Sequence, residues 1–315
     1  MILVIGDAND ITTNITMEWI QHYTSDVKRI NFSDFTPLNG LRLSNDTNSV
    51  VLADIDMSTV HKIWHRRGSI RFLSKKLRAN TSLYPYLKKE EDSLLKSLED
   101  MLGDHSEYIG SYHKEVENYK IDYLITAKEC GISIPDTLIT TAKKELKLFF
   151  NTYDQIITKD IRYGIKIHQA EQSLYSAGTF IVNQEMIGSM NNTFAPTLVQ
   201  EKIEKKYEIR VFFFKERLYP MAILSQNDKQ TTIDYRNYNR KRPNRNVPVL
   251  LPDTIEKKVL DFIGKCGLST GSIDMIVDTF DNYIFLEVNP QGQLDWVSKN
   301  CNYHIEKEIA EYLIS

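Results

Sequence analysis

The most regular alternation of apolar and polar residues lies near the end of the chain. Residues 272–277 and 284–289 alternate on either side of a short polar turn, a pattern that predicts a β-hairpin. A four-residue turn places Asp274 opposite Glu287 and, because alternate strand residues share a face, Asn289 on the same side. The remaining pairs in this register are Ile276 with Phe285 and Asp278 with Tyr283.

The facing carboxylates of this hairpin predict a bound cation. Two carboxylates directly opposite each other repel, so a fold that retains them commonly supplies a positive charge between them. Two carboxylates and an amide are hard oxygen ligands, and such a small set suits Mg²⁺ that also contacts nucleotide phosphates. A surface hairpin with solvated acids is the simpler alternative for Asp274 and Glu287 alone, but Asn289 on the same face of an apolar strand favours a metal site.

The periodicity divides the chain into three segments. Residues 1–115 alternate short strands with helices, which predicts an α/β unit with an open sheet. Residues 116–196 predict a smaller α+β unit, and residues 197–315 change to long β segments that lead into the hairpin. The predicted strands are 2–6, 27–32, 49–55, 59–65, 155–159, 197–203, 207–214 and 218–225, and the predicted helices are 11–23, 83–102, 114–130, 141–150, 253–266 and 302–314.

Composition narrows the class of protein. A length of 315 residues with 42% hydrophobic and 26% charged positions is ordinary for a globular protein of roughly two domains. The net charge of −3 argues against bulk binding of nucleic acid. Three widely spaced cysteines fit a reducing cytoplasm and exclude a cysteine-rich zinc site. Neither a long apolar run nor a basic leader is present in the sequence, so we expect a cytoplasmic protein without a membrane partner.

Several charged residues stand where a nucleotide would give them a partner. Lys159 closes an apolar strand and Arg210 lies among apolar β residues, where an isolated charge is costly. Lys120 is predicted near the start of a helix, Glu208 is placed to accept from ribose hydroxyls, and Arg236 lies in a polar loop. Considered alone, each of these last three is more simply explained as an exposed residue: a helix surface lysine, a strand-edge charge and a solvated loop arginine. One predicted strand ends with Gln200, Glu201, Lys202 and Ile203. The backbone N–H and C=O groups of this segment are placed to hydrogen-bond with the edge of an adenine base.

In this order, these residues and the closing Glu287-Val288-Asn289-Pro290 segment resemble the ATP-grasp superfamily, whose ATP lies between two α+β units. The resemblance covers about 115–315, whereas a Walker phosphate loop is absent from the sequence. It implies that the two lysines contact phosphates, that the backbone of Glu201 and Ile203 contacts adenine, and that Glu208 holds ribose. The ligands it implies for one or two Mg²⁺ ions are Asp274, Glu287 and Asn289.

Further segments are similar to the graspetide synthetases, which macrocyclise ribosomal peptides of the microviridin type. They are Trp64-His65-Arg66-Arg67, the β segment 207–225, and Asn289-Pro290-Gln291-Gly292-Gln293 followed by Trp296. The opening segments 1–5 and 10–14 are most similar to the branch called grasp-with-spasm maturases. One departure is Lys159-Asp160, where many relatives have Lys-Pro.

The resemblance implies a fold, a reaction and a partner. The fold is an ATP-grasp fold with an N-terminal α/β domain (1–115), a small central domain (116–196) and a C-terminal antiparallel-sheet domain (197–315). The reaction transfers phosphate from ATP to Asp or Glu carboxylates of a precursor peptide, and Ser or Thr hydroxyls or Lys amines then form esters or amides. Arg210 and Arg236 are expected to stabilise the acyl phosphate. No general base is assigned, although His65 and His168 are candidates.

The partner implied by the resemblance is a peptide with a leader and a core rich in Thr, Ser, Asp and Glu. Trp64, Arg66 and Arg67 are expected to bind this acidic peptide, and the alternative is a core tryptophan flanked by surface arginines. A homodimer is allowed, and nucleic acid is not expected as a partner. Other readings of the whole chain are a carboxylate–amine ligase that adds amino acids, a non-catalytic ATP- or peptide-binding module, and a structural α/β protein.

Overall fold

The structure is a computed structural model that describes residues 1–162, 165–169, 172–176, 178–228, 230–236 and 239–315. Side chains of residues 165–169 and 172–176 lie outside this description, and they include His168, one of the candidate general bases. Within these ranges no helix is both long enough and apolar enough to cross a membrane.

The N-terminal unit is built on a parallel sheet. Its elements are β1 (Ile2–Gly6), α1 (Ile11–Tyr23), β2 (Val27–Asn31), β3 (Leu38–Leu43), β4 (Asn48–Leu52), β5 (Ile55–Asp56), β6 (Lys62–His65), α2 (Lys75–Arg78), α3 (Tyr84–His105) and β7 (Glu107–Ile109). The sheet order is β2-β1-β6-β7, and every pairing is parallel. Strand β1 is buried along its whole length, as expected for a strand covered on both faces. Strands β3, β4 and β5 form a second, antiparallel sheet.

The central unit carries a smaller antiparallel sheet. Its elements are α4 (Tyr112–Val116), α5 (Lys120–Glu129), β8 (Thr137–Ala142), α6 (Lys143–Thr152), β9 (Ile156–Lys159), β10 (Ile165–Gln169), β11 (Gln172–Ser176), β12 (Phe180–Val182), α7 (Gln184–Ser189) and β13 (Thr193–Glu201). The sheet order is β12-β9-β13-β8, while β10 and β11 form a separate hairpin. Strand β13 spans the boundary predicted between residues 196 and 197, and it pairs with the central strands.

The C-terminal unit is a five-stranded antiparallel sheet with helices. Its elements are β14 (Lys205–Phe214), β15 (Arg217–Leu224), β16 (Arg245–Pro248), α8 (Asp253–Cys266), β17 (Thr270–Asp278), β18 (Tyr283–Asn289), α9 (Asp295–Cys301) and α10 (Ile305–Ile314). The sheet order is β16-β15-β14-β17-β18. The predicted last helix begins only at Ile305, because Asn302 and His304 both adopt a left-handed φ of 55°. The helix predicted at 114–130 is divided into α4 and α5.

This C-terminal sheet separates two apolar cores. Alternate residues of β14 face opposite sides, so Phe212 and Phe214 pack into a core shared with β1, β6 and α10. Val211 and Phe213 pack on the other side, in the core shared with α5 and α8. Both faces of β14 are therefore buried, and the neighbouring β17–β18 hairpin projects from a tightly packed scaffold.

The hairpin has the predicted central pair but different outer pairs. Asp274 lies opposite Glu287, as predicted, and Ser272 lies opposite Asn289. Leu286 is an extra residue in β18, and this bulge shifts every later pair by one position. The observed pairs are Met275 with Phe285, Ile276 with Ile284 and Val277 with Tyr283. The two predicted outer pairs are therefore wrong, because a uniform register cannot reveal an inserted residue.

Candidate functional site

A pocket lies between the ends of the central and C-terminal sheets. The residues proposed from the sequence that line it are Lys159, Gln200, Glu201, Ile203, Glu208, Arg236, Asp274 and Glu287. Two more, Lys120 and Arg210, reach this group through ion pairs with Glu287 and Asp274. The fold thus brings together residues that are far apart in sequence. The other sequence candidates lie outside this lining: Trp64, Arg66, Arg67, Lys202 and Asn289.

Glu287 is surrounded by cations from three different elements. Its carboxylate lies 3.2 Å from Nζ of Lys120 at the start of α5 and 3.7 Å from a guanidinium nitrogen of Arg236. Burial raises the pKa of Glu287, but the attraction of Lys120, Lys159 and Arg236 outweighs burial and leaves the pKa below its usual value. The carboxylate is therefore ionised at neutral pH and can share its charge with a further cation.

Lys159 is the ammonium at the end of β9, inside the pocket. Burial lowers the pKa of Lys159 to about 8, and the nearby cations Lys120 and Arg236 add to this effect, while Glu287 opposes it. An ammonium held this way gains stability from any polyanion that enters the pocket. The sequence argument that Lys159 needs an anion therefore agrees with its surroundings.

Asp274 is held by a two-pronged ion pair. Arg210 donates from Nε to one carboxylate oxygen at 2.8 Å and from Nη2 to the other at 2.7 Å. The guanidinium lies over the rings of Trp296 at 5.1 Å and Tyr235 at 5.7 Å, and the two rings stack on each other. These contacts fix the orientation of Arg210 and leave N–H donors over for a second anion.

The oxygen atoms at this end of the hairpin fit a hard divalent cation. Asp274 and Glu287 face each other on neighbouring strands, and Asn289 accepts one hydrogen bond from the backbone of Gln291 at 3.0 Å. An amide oxygen has two lone pairs, so Asn289 can still bind an ion. In the described part of the chain, no group of three or more His, Cys, Asp or Glu side chains could hold a metal. An ion here would therefore be held by two carboxylates, the amide and ligand oxygens.

Glu208 is a buried acceptor that is only half used. One carboxylate oxygen pairs with Lys205, which also donates to the backbone of Ile233 at 3.0 Å, while the other oxygen is buried without a hydrogen-bond donor among the described residues. Burial raises the pKa of Glu208 to about 7, with Lys205 opposing the shift. The free oxygen is suited to accept from a neutral hydroxyl donor, such as a sugar hydroxyl.

Lys205 is a pocket residue that the sequence argument missed. Strict alternation along β14 places residues 205 and 208 on opposite faces, but the register shifts between Lys205 and Tyr207. This bulge turns Lys205 to the side of Glu208, and both become buried. A bulge depends on the neighbouring strand, so the chain alone gives no signal for this pair.

The strand end at 200–203 contributes mostly through its backbone. The side chain of Gln200 donates to Thr137 at the start of β8 at 2.8 Å, and the Glu201 carboxylate accepts from the backbone of Asp136, just before β8, at 3.0 Å. The amide of Ile203 has no acceptor among the residues that the structure describes, although Ile203 lines the pocket. Lys202 is 4.0 Å from Glu204 and stands outside the pocket lining.

The segment Trp64 to Arg67 differs from its expected role. Trp64 is 1% exposed and packs in the core, so its ring has no surface for a peptide, which corrects the expectation of a direct contact. Arg66 is 5% exposed and donates to the backbone oxygen of Gln291 at 3.2 Å. Only Arg67 is open to solvent, with 47% of its side chain exposed and 3.7 Å from Asp10.

His65 has a structural position. Its ring contacts the hydroxyl of Tyr108 at 2.7 Å and the backbone oxygen of Gly68 at 2.5 Å, and the residue is 3% exposed. Burial lowers the pKa of His65, which keeps the ring neutral. With both ring nitrogens occupied and no solvent access, His65 is not a general base in this structure.

Several solved structures share this arrangement of domains, whereas no protein-family profile and no curated protein matches the chain. A RiPP-associated ATP-grasp ligase from Chryseobacterium gregarium, in complex with ADP and a leader and core peptide, matches with a TM-score of 0.85 at 23% identity over 99% of this chain and 96% of that one. The macrocyclase MdnC from Microcystis aeruginosa, bound with precursor peptide MdnA, matches with a TM-score of 0.80 at 24% identity over 100% and 99%. The ATP-grasp ligase PsnB matches with a TM-score of 0.76 at 15% identity over 99% and 96%.

These likenesses at low identity establish the fold. The chain has the ATP-grasp fold along its whole length, with an N-terminal α/β unit, a small central unit and a C-terminal antiparallel sheet, which confirms the predicted fold class. A D-cycloserine synthetase, at 11% identity and a TM-score of 0.55, is a more distant match to the same fold. The pocket described above lies between the two sheets of that fold.

Proposed function

We propose that this protein is an ATP-dependent ligase that macrocyclises a precursor peptide. The observation that carries the proposal is the charge arrangement of the pocket, where Lys120, Lys159 and Arg236 surround Glu287 and Arg210 holds Asp274 opposite. Three cations around a carboxylate pair suit a polyphosphate with a divalent ion. The names of the similar structures, which include ADP and precursor peptides, support the same substrates here.

The residues of the pocket offer partners for the base, the ribose and the phosphates of a nucleotide. The free amide of Ile203 offers a donor to the edge of a base, and the unused oxygen of Glu208 offers an acceptor to ribose hydroxyls. Lys159 in the pocket and Lys120, which pairs with Glu287, would contact the phosphates. When bound, Mg²⁺ on Asp274, Glu287 and Asn289 would neutralise charge on the β- and γ-phosphates.

The proposed reaction has two balanced steps. A carboxylate oxygen of an Asp or Glu in the peptide attacks the γ-phosphorus, and the bond to ADP breaks, so that a mixed anhydride forms. A Ser or Thr hydroxyl, or a Lys amine, then attacks the acyl carbon, phosphate leaves, and the proton passes to solvent. Arg210 and Arg236 would stabilise the negative oxygens of the anhydride, and positioning would supply much of the rate.

The peptide is proposed to carry a leader and a core rich in Thr, Ser, Asp and Glu. Arg67 is an exposed cation of the N-terminal unit that would contact the acidic side chains of the peptide, and Arg66 is left out of that role because it is buried. A cytoplasmic location and a homodimer remain part of the same proposal. The domain limits 1–115, 116–196 and 197–315 are proposed for the functional units, with strand β13 of the central sheet crossing the second limit.

The test uses purified protein, ATP, Mg²⁺ and peptides encoded by the neighbouring open reading frames. Mass spectrometry and an ADP assay should show a peptide lighter by one water per link, with one ADP formed for each link. A reaction without ATP is the control. A peptide heavier by an added amino acid would instead support the carboxylate–amine ligase, and nucleotide binding without turnover would support a non-catalytic module.

A further inference from the structure

A run of exposed cations follows Arg236 along the chain. We define the basic loop as Arg240, Lys241, Arg242 and Arg245; the first three lie between β15 and β16, and Arg245 is the first residue of β16. All four are exposed. Among the described residues, Arg242 is close enough to Asp228 to contribute to the lowered pKa of that carboxyl, and the other three have no carboxylate within ion-pair distance. The whole chain has a net charge of −3, so this local excess of positive charge is not a property of the surface in general.

The basic loop is held at both ends. Asn239 donates from its side chain to Asp228 at 2.7 Å and accepts from the backbone of Lys241 at 3.0 Å. Thr231, which is fully buried, donates to the side chain of Asn244 at 3.1 Å. The chain then enters the sheet, where Arg245 pairs with Leu224. Because its backbone is held by these contacts, the loop can present its charges with little loss of conformational entropy on binding.

The basic loop is also close to the pocket. Arg236 lies 3.7 Å from Glu287 and only four positions before Arg240, and four residues span at most about 14 Å even when fully extended. A ligand that reacts in the pocket and continues past Arg236 therefore meets these cations within a few residues.

We propose that the basic loop binds an acidic segment of the peptide substrate and holds it beside the reacting carboxylate. This inference rests on the proposed function and names the surface that selects an acid-rich peptide. Four cations on one short loop match a few Asp or Glu side chains, whereas a nucleic acid needs a longer basic track along its backbone. Arginine also forms two-pronged hydrogen bonds with carboxylates, which adds selectivity for this class of side chain.

The experiment compares two triple variants that lose the same charge. The basic-loop variant carries Arg240→Gln, Lys241→Gln and Arg242→Gln. The control carries Lys144→Gln, Lys147→Gln and Lys257→Gln, three exposed lysines on α6 and α8. The probes are a short fluorescent peptide of Thr, Ser, Asp and Glu, and the same peptide with Asn and Gln in place of the acids, and binding is measured by anisotropy.

The acidic probe should bind the basic-loop variant about tenfold more weakly than it binds the wild type or the control variant. Added salt should weaken the wild-type interaction, and the neutral probe should show little difference between the proteins. Equal affinity of the acidic probe for wild type and basic-loop variant would overturn the proposal. So would tighter binding of a single-stranded RNA of equal charge that is lost in the same variant.

A second measurement separates this proposal from the proposed function. Calorimetry with ADP and Mg²⁺ should give the same affinity for wild type and basic-loop variant, because the loop lies outside the pocket lining. Absence of ADP binding to the wild type would refute the proposed function and leave the peptide result to be judged alone. If the basic-loop variant loses affinity for ADP while the wild type and the control variant keep it, the assignment of the loop to the peptide would be overturned.

Discussion

The pocket at the hairpin and the end of strand β6 were both expected to contact ligands, but only the pocket leaves most of its predicted residues facing an open space. At the pocket, charged side chains lie in a shared concave space and partner one another, as with Arg236 and Glu287. At the end of β6, Trp64 is a core residue and Arg66 is buried against the backbone of Gln291. Charge in a polar motif therefore predicts function only where the fold leaves an opening beside it.

The two regions differ in how much of their hydrogen-bonding capacity is already used within the protein. In the pocket, the ion pairs leave some capacity unused, including one oxygen of Glu208. Beside β6, Arg66 links the N-terminal unit to the loop that follows β18, so it supports that loop instead of meeting solvent. Removing residues from the two regions should therefore give opposite patterns of activity and stability.

The largest expected effect is on activity at the pocket. Glu287→Gln keeps the shape of the side chain but removes the charge that three cations surround, so ADP formation in the presence of peptide should fall on the order of 100-fold or more. Glu256→Gln on the exposed face of α8 is the matched control and should retain activity. Wild-type turnover by Glu287→Gln would remove the hairpin from the reaction.

The next effect is on stability at the end of β6. Arg66→Met should lower the free energy of unfolding by roughly 2 kcal/mol, because it leaves the backbone oxygen of Gln291 without its donor in a buried place. Arg67→Met should change stability by about 0.5 kcal/mol or less and instead raise the KM for peptide. Urea unfolding measures the free energy of unfolding of each variant, and steady-state kinetics measure the KM of each variant for the peptide. A stability loss for Arg67→Met equal to that for Arg66→Met would contradict the expectation that only the buried arginine contributes to stability.

A smaller effect depends on pH. The pKa of Lys159 is lowered to about 8, and a bound nucleotide stabilises the protonated form, so ADP affinity should be constant below that pH and fall as pH rises above it. The limiting slope is about tenfold per pH unit. Lys159→Arg keeps its charge and should flatten the profile. Calorimetry from about pH 7 to 10 makes the comparison, and a flat wild-type profile would contradict the placement of phosphates at Lys159.

The smallest effect concerns Glu208. If its free oxygen accepts from ribose, the wild type should bind ADP about fivefold more tightly than 2′,3′-dideoxy-ADP. The Glu208→Ala variant should bind both nucleotides alike. Equal affinities for the wild type would place the ribose elsewhere, while calorimetry of both ligands on both proteins gives the coupling directly.

Much of the fold is encoded in local patterns. Strand β1, helices α1 and α8, and the pair of Asp274 with Glu287 follow from alternation and periodicity, which are properties of the chain itself. The bulges at Leu286 and between Lys205 and Tyr207 do not, because each depends on how a neighbouring strand pairs.

The candidate site shows the same limit. Lys159 and Arg210 could be chosen because a lone charge among apolar residues needs a partner. Lys120, Glu208 and Arg236, by contrast, were chosen through the resemblance to a known family. The burial of Trp64 and Arg66 could not be predicted from the sequence, since the residues that cover them come from distant parts of the chain. Sequence therefore identifies the polar set, and tertiary packing decides which members can meet a ligand.

The central claim is that the pocket activates a peptide carboxylate by phosphorylation. The direct measurement uses a substrate peptide whose Asp and Glu carboxylates carry a heavy oxygen isotope, together with ATP, Mg²⁺ and the wild-type protein. We expect one heavy oxygen in the phosphate released for each link formed, because the carboxylate oxygen leaves with phosphorus. Unlabelled phosphate with linked peptide would show that the carboxylate is not phosphorylated and would contradict the account.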